Sequence, residues 1–190
     1  MPLLSKSVFT TQRLTRTALL TGFGLVMFLF ESILPRPLPW AKPGLANIAT
    51  LLALYLLGAA SAWAVTLLRV GLGSFFLGSF MNPGFWLSLA GGVAAVATMT
   101  FLKKFGARQF SVIGLSLAGA LAHVLAQIVV AGFLIVRRFE IIYLLPAMLW
   151  PALFAGVVVG LTALFLLERL ARLPRSRDSS FSLSKNWRSP

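Results

Sequence analysis

Residues 109–136 read QFSVIGLSLAGALAHVLAQIVVAGFLIV, with no Lys, Arg, Asp or Glu among them. A helix crosses the hydrocarbon core of a bilayer with roughly 20 mostly apolar residues, so this stretch is long enough to span one. Yet His123 and Gln127 sit inside it, one helical turn apart and so on one face. Ser116 and Gly119 fall on the same side. Polar groups at membrane depth face a bundle interior or a cavity rather than lipid. One stretch therefore predicts both a membrane helix and an inward face with possible chemistry.

The flanking sequence repeats the pattern. Residues 43–68, 70–102 and 141–167 are also free of charge. Hydrophobic residues make up 58% of the chain, charged residues only 11%, and the mean hydropathy is +0.91. Soluble domains are about 25% charged. The reading is an all-α, six-helix integral membrane protein, with helices near 17–34, 44–57, 60–79, 85–102, 110–136 and 141–170. Pro35-Arg36-Pro37-Leu38-Pro39 stops the first helix, and Asn82-Pro83-Gly84 is a turn signal. Residues 1–16 form a basic N-terminus, 17–170 the transmembrane domain, and 171–190 a basic tail expected to be disordered. The second helix is short for a span, so the proline-rich loop 35–43 is expected to be a mobile lid over an outward-facing pocket.

The formal charge of +13 does not indicate nucleic acid, because the basic residues flank the spans. With six helices, both termini share one side with twelve basic residues. The other side has four (Arg36, Lys42, Arg137 and Arg138), and Arg69 lies within a helix, so 12 + 4 + 1 accounts for all 17. The positive-inside rule then makes both termini cytoplasmic.

Five polar residues interrupt the apolar body: Glu31, Asn47, Arg69, His123 and Gln127. Arg69 cannot stay unpaired at the bilayer centre without a cost of several kcal/mol, and Glu31 is the acid in reach. Three readings follow. The pair is structural, Arg69 receives an anionic substrate group with Glu31 orienting it, or Arg69 snorkels or meets water. Arginine suits either role because its planar fork donates in parallel pairs. His123 and Gln127 either border a cavity or act as polar glue between helices. Asn47 either caps the second helix or meets a ligand from its first turn. All five are expected to bind substrate, with Asn47, Arg69, His123 and Gln127 around one cavity between helices 1, 2, 3 and 5. Small-xxx-small pairs mark close helix approach: Ala18 with Gly22, Gly114 with Ala118, and Gly156 with Gly160.

Several chemistries lack their residues. There is no cysteine, and one histidine with four acids argues against a protein-built metal site; no cofactor is expected. No phosphate-binding glycine loop, Asp-rich diphosphate motif or serine nucleophile elbow occurs. No catalytic residue is assigned, and binding or transport is favoured over enzymatic activity.

Glu31-Ser32-Ile33-Leu34-Pro35, Pro43 to Leu51 (PGLANIATL) and Leu68 to Ser74 (LRVGLGS) together resemble the Gx transporter family, often labelled heptaprenyl diphosphate synthase component I. Ser88 to Gly92 (SLAGG) and Gly119 to Gln127 (GALAHVLAQ) extend the resemblance, which covers about residues 17–170. That family is similar to the substrate-binding S components of energy-coupling-factor (ECF) transporters. The resemblance implies an S-component-like bundle in the bacterial cytoplasmic (inner) membrane and a small amphipathic ligand such as a vitamin, flavin or quinone precursor. It also implies an ECF transmembrane partner with two ATPases, docking on the stripe of Ala18 and Gly22. The rival is a membrane scaffold subunit of a redox or prenyl-lipid enzyme complex.

Overall fold

A computed structural model describes residues 2–33, 44–106, 110–136 and 139–172. The loop 35–43 and the tail 173–190 lie outside the described residues, as does most of the basic set assigned to the tail.

Six α-helices form the bundle: α1 (Pro2–Ile33), α2 (Asn47–Leu56), α3 (Ala59–Phe76), α4 (Pro83–Phe105), α5 (Val112–Ala131) and α6 (Leu145–Arg172). No strand occurs among the described residues. All except α2 contain a segment long and apolar enough to cross a membrane. Helix α1 starts well before residue 17, so much of the basic N-terminus is continuous with the first span. Helix α5 continues into a five-residue π-helical turn, Gly132–Val136, and a 3-10 segment, Phe139–Leu144, leads into α6.

Helices α1, α3, α4, α5 and α6 pack in that order, each against the next, and α2 touches all five. Asn47 through Leu54 are buried without a break. The short helix is therefore the core of the bundle, not an incomplete outer span. Its Leu51, Leu52 and Leu54 pack with Val65, Val96, Met99, Leu115 and Leu167 in the main apolar cluster.

Lipid gives helices no hydrophobic reason to associate, so close packing through small residues has to supply it. Gly156 and Gly160 of α6 lie against Leu117, Ala120, Ile113 and Ser116 of α5. Gly24 of α1 admits Ala49 and the Arg69 stem, and Gly73 admits the Phe28 ring. Facing outward are Leu14, Leu19, Val26, Phe75, Phe133, Trp150 and Phe154, all exposed. That much exposed apolar surface is unusual for a soluble monomer and suits a lipid boundary. Near the α3–α4 turn, the Phe85 ring meets Phe80 at 5.0 Å and Trp86 at 5.2 Å. Phe85 is buried there, while Trp86 remains exposed.

Candidate functional site

The five interrupting residues are all buried, with exposures of 1% for Glu31, 7% for Asn47, 3% for Arg69, 8% for His123 and 1% for Gln127. They form two groups on either side of α2.

On the α1–α3 side, the Glu31 carboxylate accepts a hydrogen bond from the Ala46 backbone N–H at 3.2 Å. Ala46 is the N-cap of α2 and has no side-chain cap of its own. A carboxylate belongs there, because a helix N-terminus presents unsatisfied N–H groups and partial positive charge. Arg69 donates from a terminal guanidinium nitrogen to Asn47 Oδ1 at 2.6 Å. The Arg69 stem rests on Gly24, within 3.3 Å of where a Cβ would stand. The acid and the base thus both attach to the first turn of α2, and the Glu31 charge also acts on Arg69 through its field. One turn deeper, the Thr50 and Thr66 hydroxyls share a 2.9 Å hydrogen bond. Asn47–Arg69 and Thr50–Thr66 make a polar ladder between α2 and α3.

On the other side lies a small cavity of about 20 Å³. Asn47 and Gly44 border it from α2 and the segment before it. Met99 of α4, Ser116, Gly119 and His123 of α5, and Ala152 and Gly156 of α6 supply other walls. A cavity needs about 10–15 Å³ to hold a water, so this one has room for water but not for a vitamin-sized molecule. The Ser116 hydroxyl donates to the Gly156 carbonyl at 2.7 Å, tying α5 to α6 at the cavity wall. The His123 ring lies flat against α4: a Cβ added at Gly91 would stand 2.7 Å from its Cε1 and 2.8 Å from both ring nitrogens. Only a glycine leaves that space.

The cavity therefore sits between α2, α4, α5 and α6, not between helices 1, 2, 3 and 5. Asn47 and His123 share it. Arg69 is walled off behind α2 and reaches it only through Asn47. Gln127, one turn beyond His123 on the same face of α5, is not among its walls. The reason is the central position of α2, which splits the interior in two. Asn47 does not cap its helix, since its Oδ1 is taken by Arg69. Gln127 Oε1 and Nε2, and Arg69 Nε, have no hydrogen-bond partner among the described residues. Each buried group left this way costs about 1–3 kcal/mol.

Sequence reasoning missed how the C-terminal end of α2 is held. Lys103 Nζ donates to the Leu54 carbonyl at 2.8 Å and sits 3.9 Å from the Tyr55 ring centre. Arg13 donates to the Leu57 carbonyl at 3.2 Å and to Ser61 Oγ at 3.4 Å. The signal was the shortness of α2 beside basic residues of α1 and α4 that could reach its last carbonyls. Ala18 and Gly22 both face outward on α1, and nothing stands within 4 Å of a Cβ added at Gly22. No group of three or more His, Cys, Asp or Glu is placed to hold a metal among the described residues.

The family model for heptaprenyl diphosphate synthase component I matches residues 20–166. The chain belongs to this family. The match runs from the second half of α1 through most of α6 and includes both polar groups around α2. Neither the curated proteins nor the solved structures provide a match. A six-helix apolar bundle with five helices able to span fits a membrane protein.

Proposed function

We propose that the chain is a membrane substrate-binding protein that takes part in the uptake of a small amphipathic molecule, in the manner of an ECF S component. The observation that carries the reading is the cavity at Asn47, Ser116 and His123, three polar side chains in an otherwise apolar wall. Polar lining at that depth is costly and is characteristic of substrate pathways. Small-molecule pockets run to hundreds of Å³, whereas this cavity is far smaller, so binding goes with an opening of α2, α5 and α6. Met99 and Gly44 are the yielding parts of the wall: a flexible thioether and a glycine at φ 81°.

In this reading both termini are cytoplasmic, in the bacterial inner membrane. The outward Ala18–Gly22 face of α1 meets a transmembrane partner that ATPases drive. The protein itself binds and does not catalyse. Native mass spectrometry of the purified protein tests it. A retained small molecule, lost on His123→Ala together with Asn47→Ala, is the expected result. Protein that never carries a molecule, from any growth medium, would overturn it.

A second reading is favoured by the family's own label, which names a component of a prenyl diphosphate synthase. In it the bundle holds a soluble catalytic subunit at the membrane. Co-purification separates the two: a prenyl synthase retained through the basic terminal segments supports the scaffold, and ECF ATPases support transport.

A further inference from the structure

The turn between α3 and α4 has the composition of a membrane core and not of a loop in water. From Val70 to Leu102 the chain carries no charge, so none marks the passage from one helix to the next. The large side chains there face outward instead: Phe75 is 69% exposed, Phe76 65%, Phe80 49% and Met81 60%. The opposite end of the same two helices is built differently. Arg13 bonds the Leu57 carbonyl and Ser61 Oγ beside the start of α3, and Lys103 and Lys104 stand in the last turn of α4.

The lengths agree. Helix α3 has 18 residues, which makes about 27 Å at about 1.5 Å each. At an average tilt of about 20° it climbs about 25 Å, whereas the hydrocarbon core is about 30 Å thick. With the Arg13–Ser61 contact at one boundary of the hydrocarbon, Phe76 and the turn after it fall short of the other. Backbone placed there needs internal partners, because lipid offers none. The N–H groups of Leu77, Gly78 and Ser79 donate back to the Gly73, Phe75 and Ser74 carbonyls at 3.0, 3.1 and 2.9 Å. Those of Asn82 and Phe85 donate to the Ser79 and Asn82 carbonyls, and the Ser79 hydroxyl to the Ser74 carbonyl. Pro83 has no N–H to satisfy. Met81, at φ 66°, occupies a conformation uncommon outside glycine and asparagine, yet it holds an apolar side chain outward.

We propose that the α3–α4 turn is immersed in the bilayer, its Phe75, Phe76, Phe80 and Met81 covered by lipid acyl chains of the leaflet farther from Lys103. Lipid fits this corner better than a partner protein does. Protein interfaces carry a polar rim, and from residue 75 to 85 the polar side chains are Ser79 and Asn82 alone. Phe85 turns inward from the same corner. Its ring meets Phe80 at 5.0 Å and packs with Phe28, Val70 and Ala46, the N-cap of α2. The lipid-facing turn therefore rests on the residue that opens the central helix. The proposal goes beyond the binding reading and needs only that the bundle spans a membrane.

The chain has no cysteine, so Phe76→Cys and Met81→Cys each give one site for a nitroxide label, and Lys104→Cys gives a reference at the charged end. Power-saturation EPR on the full chain in phosphatidylcholine nanodiscs compares collisions with oxygen, which concentrates in acyl chains, and with a water-soluble nickel chelate. The oxygen-to-nickel ratio is expected to be several-fold higher at 76 and 81 than at 104. Nickel reaching 76 and 81 as readily as 104 would put the turn in water. Weak collisions with both would put protein over it. Either result overturns the proposal. The unmodified chain supplies a measurement that needs no variant: in the same nanodiscs, dilute peroxide is expected to oxidise Met81 far more slowly than in the urea-unfolded chain. Equal oxidation rates would overturn the proposal as well.

Discussion

Replacing Arg69 by leucine should destabilise the bundle chiefly through Glu31. The carboxylate is 1% exposed, and Arg69 is the buried cation whose field reaches it. Removing one member of a buried pair typically costs about 3–5 kcal/mol. Asn47 Oδ1 also loses its donor, worth about 1.5–3 kcal/mol for a charged partner. Arg69→Leu should therefore cost about 4.5–8 kcal/mol. The double variant Glu31→Gln with Arg69→Leu keeps an acceptor for the Ala46 N–H and removes the charge, so it should recover about 3 kcal/mol of that loss. Unfolding by SDS titration in mixed micelles compares both variants with the parent. Equal stability of the single and double variants would refute the reasoning.

Gly91→Ala should put a methyl about 0.7 Å inside ordinary contact with the His123 ring, costing about 1–3 kcal/mol as overpacking does; His123→Ala in the same chain should remove most of that loss in the unfolding titration. Thr50→Val and Thr66→Val should each cost about 1 kcal/mol by stranding the other hydroxyl, and the double change should cost less than the two singles summed; strict additivity would show that the 2.9 Å bond does not matter. Met81 has φ 66°, a left-handed conformation that penalises a side chain, so Met81→Gly should stabilise the α3–α4 turn by roughly 1 kcal/mol; a loss of stability would mean its side chain contributes more than its backbone costs.

The spans were legible because a bilayer imposes length and apolarity together, and the charge-free runs 70–102, 109–136 and 141–167 answer both. The inward direction of Glu31, Asn47, Arg69, His123 and Gln127 was legible for the same reason, since lipid accepts none of them. Which of them would meet was not. In a soluble protein a helix that is apolar all round must be buried, but in a membrane lipid is as apolar as the core. Nothing in Asn47–Leu56 says that this helix is the centre and not the rim. With α2 misplaced, the four polar residues were gathered into one cavity between helices 1, 2, 3 and 5. With α2 central, Arg69 and His123 fall on opposite sides of it and communicate through Asn47.

A ten-residue helix at the middle of such a bundle has a problem that its neighbours lack. Its N-terminal end, at buried Ala46, exposes backbone groups where water cannot be relied on, and each unsatisfied group there costs several kcal/mol. Its C-terminal end reaches the start of the α3 span, where the Arg13 bond to the Leu57 carbonyl is exposed. The remedy comes from other helices and has the right sign at each end: an acid, Glu31, on the N-terminal N–H groups, and the bases Lys103 and Arg13 on the C-terminal carbonyls of Leu54 and Leu57. This matches the helix dipole and gives a reason for charges that otherwise look anomalous or merely topological. Lys103 and Arg13 count toward the basic side of the chain, yet they also lock the core helix from α4 and α1. Glu31 and Arg69 look like a substrate-binding pair, yet both grip the first turn of α2. What they leave exposed to the cavity is Asn47. Any movement of that turn, toward α5 or away from it, would change the size of the cavity and the position of Asn47 together.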